Sequence, residues 1–258
     1  MNARSLRAVG VALLLAACQP TVAETVELTT FGAASLSDVL ATIEEEYEAD
    51  APGIDLVIAT DSSTALRTQI EEGAPADVFL SADTANPAAL VEGELAREAV
   101  EFAANTIALV VPVENPAGIE SPADLATAGA QIIAAGPEVP ITGYVTEVVA
   151  NLAAMPDYPA AFADAYAANV VSQEDNVSGV LAKIELGEGD AGFVYQTDAR
   201  ASSEVLLIPI PEEANVHAVY AGCVTADSRH GPEATAFLDW LAGPEGQSIL
   251  AEYGFVAP

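Results

Sequence analysis

Two stretches, VELTTFGAASLSDVL at Val26–Leu40 and IDLVIATDSSTALRTQI at Ile54–Ile70, decide the fold. Each begins as a short apolar run and passes straight into small and hydroxyl residues that open an amphipathic helix. A strand that feeds a helix, repeated, is the building unit of a parallel α/β sheet. The corner between strand and helix also has chemistry of its own. The first N–H groups of a helix have no intrahelical acceptor and sit at the positive end of its macrodipole. Gly, Ala and Ser let an anion approach that backbone closely, and each Ser adds a hydroxyl donor. Neither corner contains Lys or Arg until Arg67, well inside the second helix. Two such corners in succession predict a cradle in which neutral donors hold a small oxyanion.

The alternation continues to the C-terminus. Hydrophobic patterning predicts strands over 25–30, 54–59, 76–83, 106–112 and 130–135, then near Val170, near Phe193, and over 205–210 and 216–225. Helices are predicted over 37–47, through Leu66 to a stop at Gly73, over 87–93 and from Ser121, where Asp124 follows three residues after a Ser cap. A loop over 136–144 then leads to a helix ending near Leu152, and two more helices close the chain around 234–241 and 245–253. This order fits two lobes better than one sheet. Residues 25–105 and 215–258 would form lobe 1 and residues 106–214 lobe 2, with crossings near 103–106 and 211–216 acting as a hinge. Ligands bind at the carboxyl ends of strands in open α/β sheets, and in a two-lobed protein those ends face the cleft.

Composition narrows the class. A length of 258 residues gives ample core for one large domain or two small lobes. Arg4 and Arg7 precede an apolar run, Ala8–Ala17, that is too short to span a bilayer. It ends in LAAC, Leu15–Cys18, which resembles a bacterial lipobox. That predicts a signal segment over 1–17, lipidation of Cys18 and a linker over 18–24. An ordinary secretory signal with a chance Cys is the competing reading. Cys223, the other cysteine, reads as a small buried apolar residue. The net charge is −32, and removing Arg4 and Arg7 from the seven basic residues leaves five against 39 acidic ones, or −34. Such a surface repels nucleic acid and anionic membranes, so membrane contact is expected through the lipid anchor only.

Five segments together carry a resemblance: FGAASLSDVL, SSTALRTQIEEGAPADVFLSAD, GPEVPITGYVTEVV, EDNVSGVLAKIELGEGDAGFVYQTDA and FLDWLAGPEGQSILAEYGF. In this order they resemble the extracytoplasmic molybdate-binding proteins of ABC transporters, over about Thr25 to Phe255. The resemblance implies a type II periplasmic-binding-protein fold, each lobe a mostly parallel sheet flanked by helices, with a tetrahedral oxyanion in the interlobe cleft. It implies hydroxyl donors at Ser35 and Ser63, backbone N–H donors at Ile141 and Val177, and the phenol of Tyr195. The implied ligand is molybdate, and tungstate with it. The implied partner is an ABC permease. A monomer without a cofactor is expected, with Mo entering only inside the oxyanion. Sulfate or another tetrahedral oxyanion is the alternative ligand. The family loop usually carries a small residue and then Gly where this chain has Ile141 and Thr142, and that bulk bears on pocket shape. Thr64 stands where Gly or Ser is common.

Other readings of the same residues stay open at this level. Ser35 and Ser63 fit plain helix caps, and Tyr195 fits a core aromatic. Lys183, the only lysine, fits a solvated helix face. His217 and His230 lie far apart with no Cys or Glu at ligand spacing, so no protein-ligated metal is expected. No G-x-S-x-G, H-E-x-x-H or P-loop is present, although sequence order leaves a Ser–His–Asp hydrolase open. A lipid-anchored scaffold would account for the anchor and leave the two Ser-rich corners without a purpose.

Overall fold

The computed structural model describes residues 25–258; the predicted signal segment 1–17, Cys18 and the linker lie outside the described residues. In chain order the strands are β1 (Val26–Ala33), β2 (Ile54–Asp61), β3 (Val78–Ser81), β4 (Val100–Pro112), β5 (Ile132–Ala135), β6 (Val170–Glu174), β7 (Ala191–Tyr195), β8 (Val205–Ile208) and β9 (His217–Val224). The helices are α1 (Ser37–Asp50), α2 (Ser63–Glu71), α3 (Ala85–Glu92), α4 (Pro140–Ala154), α5 (Phe162–Ala168), α6 (Val177–Glu185), α7 (Gln196–Ala201), α8 (Gly231–Ala242) and α9 (Pro244–Glu252).

The strand order β2-β1-β3-β9-β4-β7-β5-β6 divides at β4, with β8 also paired to that strand. On one side β2, β1 and β3 are parallel, and β9 closes the group antiparallel to β3. On the other side β6, β5 and β7 are parallel, and β4 runs antiparallel to β7. Each half is thus a parallel trio bordered by an antiparallel strand, the two-lobed α/β arrangement. β4 belongs to both halves: Val100–Thr106 pairs with β9, and Ile107–Pro112 pairs with β7 and β8. Helices cover the faces at the middle of each half, so β3 and β7 are buried along their whole length, whereas the outer strands β2 and β6 are partly exposed.

Helix α1 shows how the layers form. Val39, Leu40, Ile43 and Tyr47 recur at helical spacing and are all buried. Fully burying each such side chain contributes roughly 1.5–3 kcal/mol. Tyr47 meets Phe237 and Trp240 of α8 at ring-centroid distances of 4.9 and 5.1 Å, which locks the first helix to the C-terminal pair. Gly32, in the strand before α1, faces Leu40 where any Cβ would collide.

Three sequence expectations need correction. The strand predicted over 106–112 is only the second half of β4, because the run Val100–Asn105 lacks clean alternation and carries a register shift between Glu101 and Ala103. The predicted loop over 136–144 ends at Pro140, whose fixed φ suits the first helical position, so Ile141, Thr142 and Tyr144 lie in the first turns of α4. The helix predicted from Ser121 is a short 3-10 turn, Pro122–Ala126, in which the Asp124 carboxylate accepts from the Ser121 N–H at 2.8 Å.

The return crossing is held by one side chain. Asn215 Oδ1 accepts from Ile107 N at 3.2 Å and from Val216 N at 2.8 Å, while its Nδ2 donates to Ile107 O at 2.8 Å. This amide stands in for a strand at the point where β4 changes partners. Replacing Asn215 by Ala should cost about 1–3 kcal/mol in urea unfolding, because both polar groups of Ile107 lose their partner. The urea m-value should stay the same, since the same surface is exposed on unfolding. A variant with an unchanged midpoint would remove Asn215 from this role.

Candidate functional site

Four helix N-termini converge where the two halves of the sheet meet. The 3-10 turn Ala34–Leu36 leading into α1 and the N-terminus of α2 come from one half; α4 and α6 come from the other. They surround a small cavity lined by Ala33, Ala34, Ser35, Ser62, Ser63, Ala82, Val139, Pro140, Asn176, Val177 and Tyr195. The cavity is very small, with a volume of about 10 Å³. A pocket for an organic ligand runs to roughly 300–1,000 Å³, so this one is far too small for such a molecule. No charged side chain lines it.

The sequence-predicted residues Ser35, Ser63, Val177 and Tyr195 all line this cavity, and Ile141 adjoins it directly after Pro140. All five are buried. Val177 is the first residue of α6 and Ile141 the second of α4, so the N–H of each is among the orphan donors of its helix. The side chains of Ile141 and Thr142 turn away from the cradle. Both line a larger apolar cavity of about 400 Å³ between α4, α5 and the sheet. Thr142 Oγ1 also donates back to Gly136 O at 2.7 Å. The bulk at these two positions therefore leaves the polar cavity to the backbone.

Capping does not occupy the serines. Ser62, not Ser63, holds the N-cap position of α2, and neither α2 nor the 3-10 turn has a side-chain cap bond. Instead Ser63 Oγ accepts from Ala82 N at 3.0 Å, which leaves its single proton free to donate. Ser35 Oγ lies 2.9 Å from the Tyr220 hydroxyl. Burial pushes the Tyr220 phenol well above its ordinary range, so it stays protonated. With Tyr220 donating, Ser35 also has its proton free. Tyr195 is the clearest case. Its hydroxyl is buried and without a hydrogen-bond partner among the described residues. Burial likewise holds this phenol well above its usual pKa. An orphaned buried hydroxyl costs roughly 1–3 kcal/mol, and an oxyanion in the cavity would relieve that cost.

Sequence reading missed the residues that aim these donors. Tyr220 is 185 positions from Ser35, and Tyr195 packs against it at 5.6 Å and against Tyr144 at 6.5 Å. No local pattern announces such contacts. Asp198, three residues beyond Tyr195, carried a legible signal as an acid in the first turn of α7. Its Oδ2 accepts from Tyr195 N at 3.1 Å. Lys183 is not a free surface charge: it pairs with Glu174 at 2.7 Å and donates to Ser172 Oγ at 2.9 Å. Cys223 is free and buried, and burial raises its thiol to about 12.

A cleft between two α/β lobes, with donors from both aimed at one small cavity, is the architecture of a solute-binding protein. A family model for bacterial extracellular solute-binding proteins matches residues 28–256, and the chain belongs to that family. It is 35% identical over 233 residues to the molybdate-binding protein ModA of Mycobacterium tuberculosis, covering 90% of this chain and 85% of that protein. Among solved structures it is similar to the periplasmic molybdate-binding protein of Azotobacter vinelandii, with a TM-score of 0.75, 24% identity and coverage of 90% and 99%. It is also similar to the sulfate-binding protein SubI of Mycobacterium tuberculosis, with a TM-score of 0.78, 19% identity and coverage of 90% and 87%. At these identities the two structures speak for the fold alone.

Asp198 makes stability depend on pH. Burial first, opposed by the Tyr195 N–H and aided by Asp38, raises its carboxyl from 3.8 to about 7. The folded chain therefore binds a proton that the unfolded chain releases between these values, and stability falls as pH rises from about 4 to about 7. Asp198→Asn keeps an acceptor for Tyr195 and removes the charge. It should raise Tm at pH 8 by about 2–4 °C for each kcal/mol recovered, and much less at pH 4. Equal shifts at both pH values in a thermal-melt series would show that the charge is not responsible.

Proposed function

We propose that this chain captures molybdate, and tungstate alike, in the interlobe cleft and delivers it to the permease of an ABC importer. The observation that carries this reading is a cavity lined by neutral donors from both lobes and by no charged side chain. Hydrogen bonds from neutral donors to an oxyanion are short and about twice as strong as neutral pairs. A tetrahedral dianion can accept from both lobes at once, and that differential contact favours the closed cleft. Ser35, Ser63 and Tyr195 would donate hydroxyl protons, and Ile141 and Val177 backbone N–H groups. The name of the Mycobacterium tuberculosis relative supports molybdate as the ion. Sulfate offers the same charge and shape and is the ligand to test against it. Phosphate differs: its protonated form brings an O–H that needs an acceptor. Asn176 Oδ1, the one side-chain amide acceptor in the wall, is already used by Gly179 N at 3.0 Å.

Titration calorimetry with molybdate, tungstate, sulfate and phosphate tests the proposal. Molybdate and tungstate should bind alike, and phosphate should bind at least about fivefold more weakly. Ser63→Ala and Tyr195→Phe should each weaken molybdate about tenfold to a hundredfold. The ligand-free stabilities should move in opposite senses. Tyr195→Phe removes an orphaned hydroxyl and should be neutral or stabilising, whereas Ser63→Ala strips Ala82 N of its acceptor. Phosphate binding as tight as molybdate, or full affinity in both variants, would sink the assignment.

We further propose that the protein works outside the cytoplasm as a monomer held to the membrane by acyl chains on Cys18. LAAC directly after the apolar run supports this, and more than one acyl chain suffices for stable anchoring. In detergent-phase partitioning of the expressed chain, the wild type should enter the detergent phase and Cys18→Ser should not. A wild-type chain that stays in the aqueous phase would overturn the anchor.

A further inference from the structure

Thr64 takes no part in the cavity wall, yet it reaches across the cleft. From the first turn of α2 its Oγ1 donates to the carbonyl of Glu138, in the loop between β5 and α4, at 2.6 Å. Asn86 Oδ1, within the same lobe, is a longer alternative acceptor at 3.3 Å. A second link lies beside it: Asn176 Nδ2 donates to Asp61 Oδ1 at 3.3 Å. Asn176 is fixed for this task by its cap bond to Gly179, and Asp61 by its bond from Ser62 N at 2.7 Å.

The surroundings make these links matter. The mouth of the cleft, a cavity of about 560 Å³, is lined by Asp61 from one lobe and by Glu138, Glu174 and Asp175 from the other. Lys183 neutralises Glu174 alone. Closing the cleft brings like charges together, and a bound dianion adds to that repulsion. Links from neutral donors offset it without placing a cation near the ion. A Gly at position 64 has no hydroxyl, so the Thr in this chain makes a bond that the smaller residue cannot.

We infer that Thr64 is a positioning residue whose hydroxyl, with the Asn176–Asp61 link, clasps the two lobes and sets how long a bound oxyanion stays. The inference rests on the cleft being the oxyanion site. Its effect falls on opening, because the bond forms only when the lobes meet. One hydrogen bond corresponds to a change of about two- to tenfold.

Stopped-flow measurements with molybdate separate the rates. Thr64→Val should speed dissociation about two- to tenfold and leave association within twofold. Thr64→Ser, which keeps the hydroxyl, should restore the slow dissociation. Small-angle scattering of the chain without added ion gives an independent reading: Thr64→Val should have a larger radius of gyration than the wild type. An unchanged dissociation rate in Thr64→Val, or a Ser variant as fast as Val, overturns the clasp while leaving the oxyanion site intact. Should the wild type fail to bind molybdate at all, the site reading falls instead. The scattering comparison then decides the clasp, and equal radii reject it.

Discussion

The organising constraint is the unsatisfied backbone N–H at the start of a helix. Each helix leaves several such donors, and here four N-termini from two lobes point them at one small cavity. The demand explains features that otherwise look unrelated. Small residues line the corners because the backbone must be reachable. Strands run straight into helices because the donors must lie at the carboxyl ends of the sheet. Pro140 opens α4 at a position where a missing N–H removes no helical bond, so the donors that follow it remain available. Tyr195 supplies a hydroxyl from a strand end, and Asp198 holds the backbone that aims it.

Much of this was legible in the chain because the signals are local. Val26–Leu40 contains a strand, a corner and the start of a helix, Ile54–Ile70 a strand, a corner and nearly all of a helix, and both appear where their patterns place them. The resemblance extended that reading to Ile141, Val177 and Tyr195, none of which stands out by composition. Three things were not legible. The first half of β4 depends on β9, more than a hundred residues later, and its own residues do not alternate. The start of α4 was obscured by Gly136 and Pro137, which read as loop although the helix begins only three residues after Pro137. The support around the site, with Tyr220 on Ser35 and Ala82 on Ser63, joins residues whose proximity exists only after folding.

The absence of cations from the cradle has its own logic in so acidic a molecule. A Lys or Arg near the cleft would find carboxylates before it found a ligand, as Lys183 does with Glu174. A backbone N–H cannot be drawn away, and it does not titrate. The neutral site is therefore insulated from a surface whose long-range field opposes anions. That field is screened beyond about 8 Å at physiological ionic strength, while contacts inside the cavity are much shorter. Selectivity then rests on the geometry and protonation state of the ion and not on attraction to charge.

The shared strand also dictates the order in which the molecule can be assembled. β3 is complete early in synthesis, yet the strand that borders it is β9, and Val78 finds its partner only at Val224. The second half of the sheet closes within a much shorter span, from β4 to β8. Contacts between distant positions carry the greater loop-closure cost and form more slowly. As the chain becomes available from its N-terminus, lobe 2 has all its strands while lobe 1 still lacks its border and keeps an unpaired edge. Truncation near residue 215 would leave that edge permanently bare, an open invitation to aggregation.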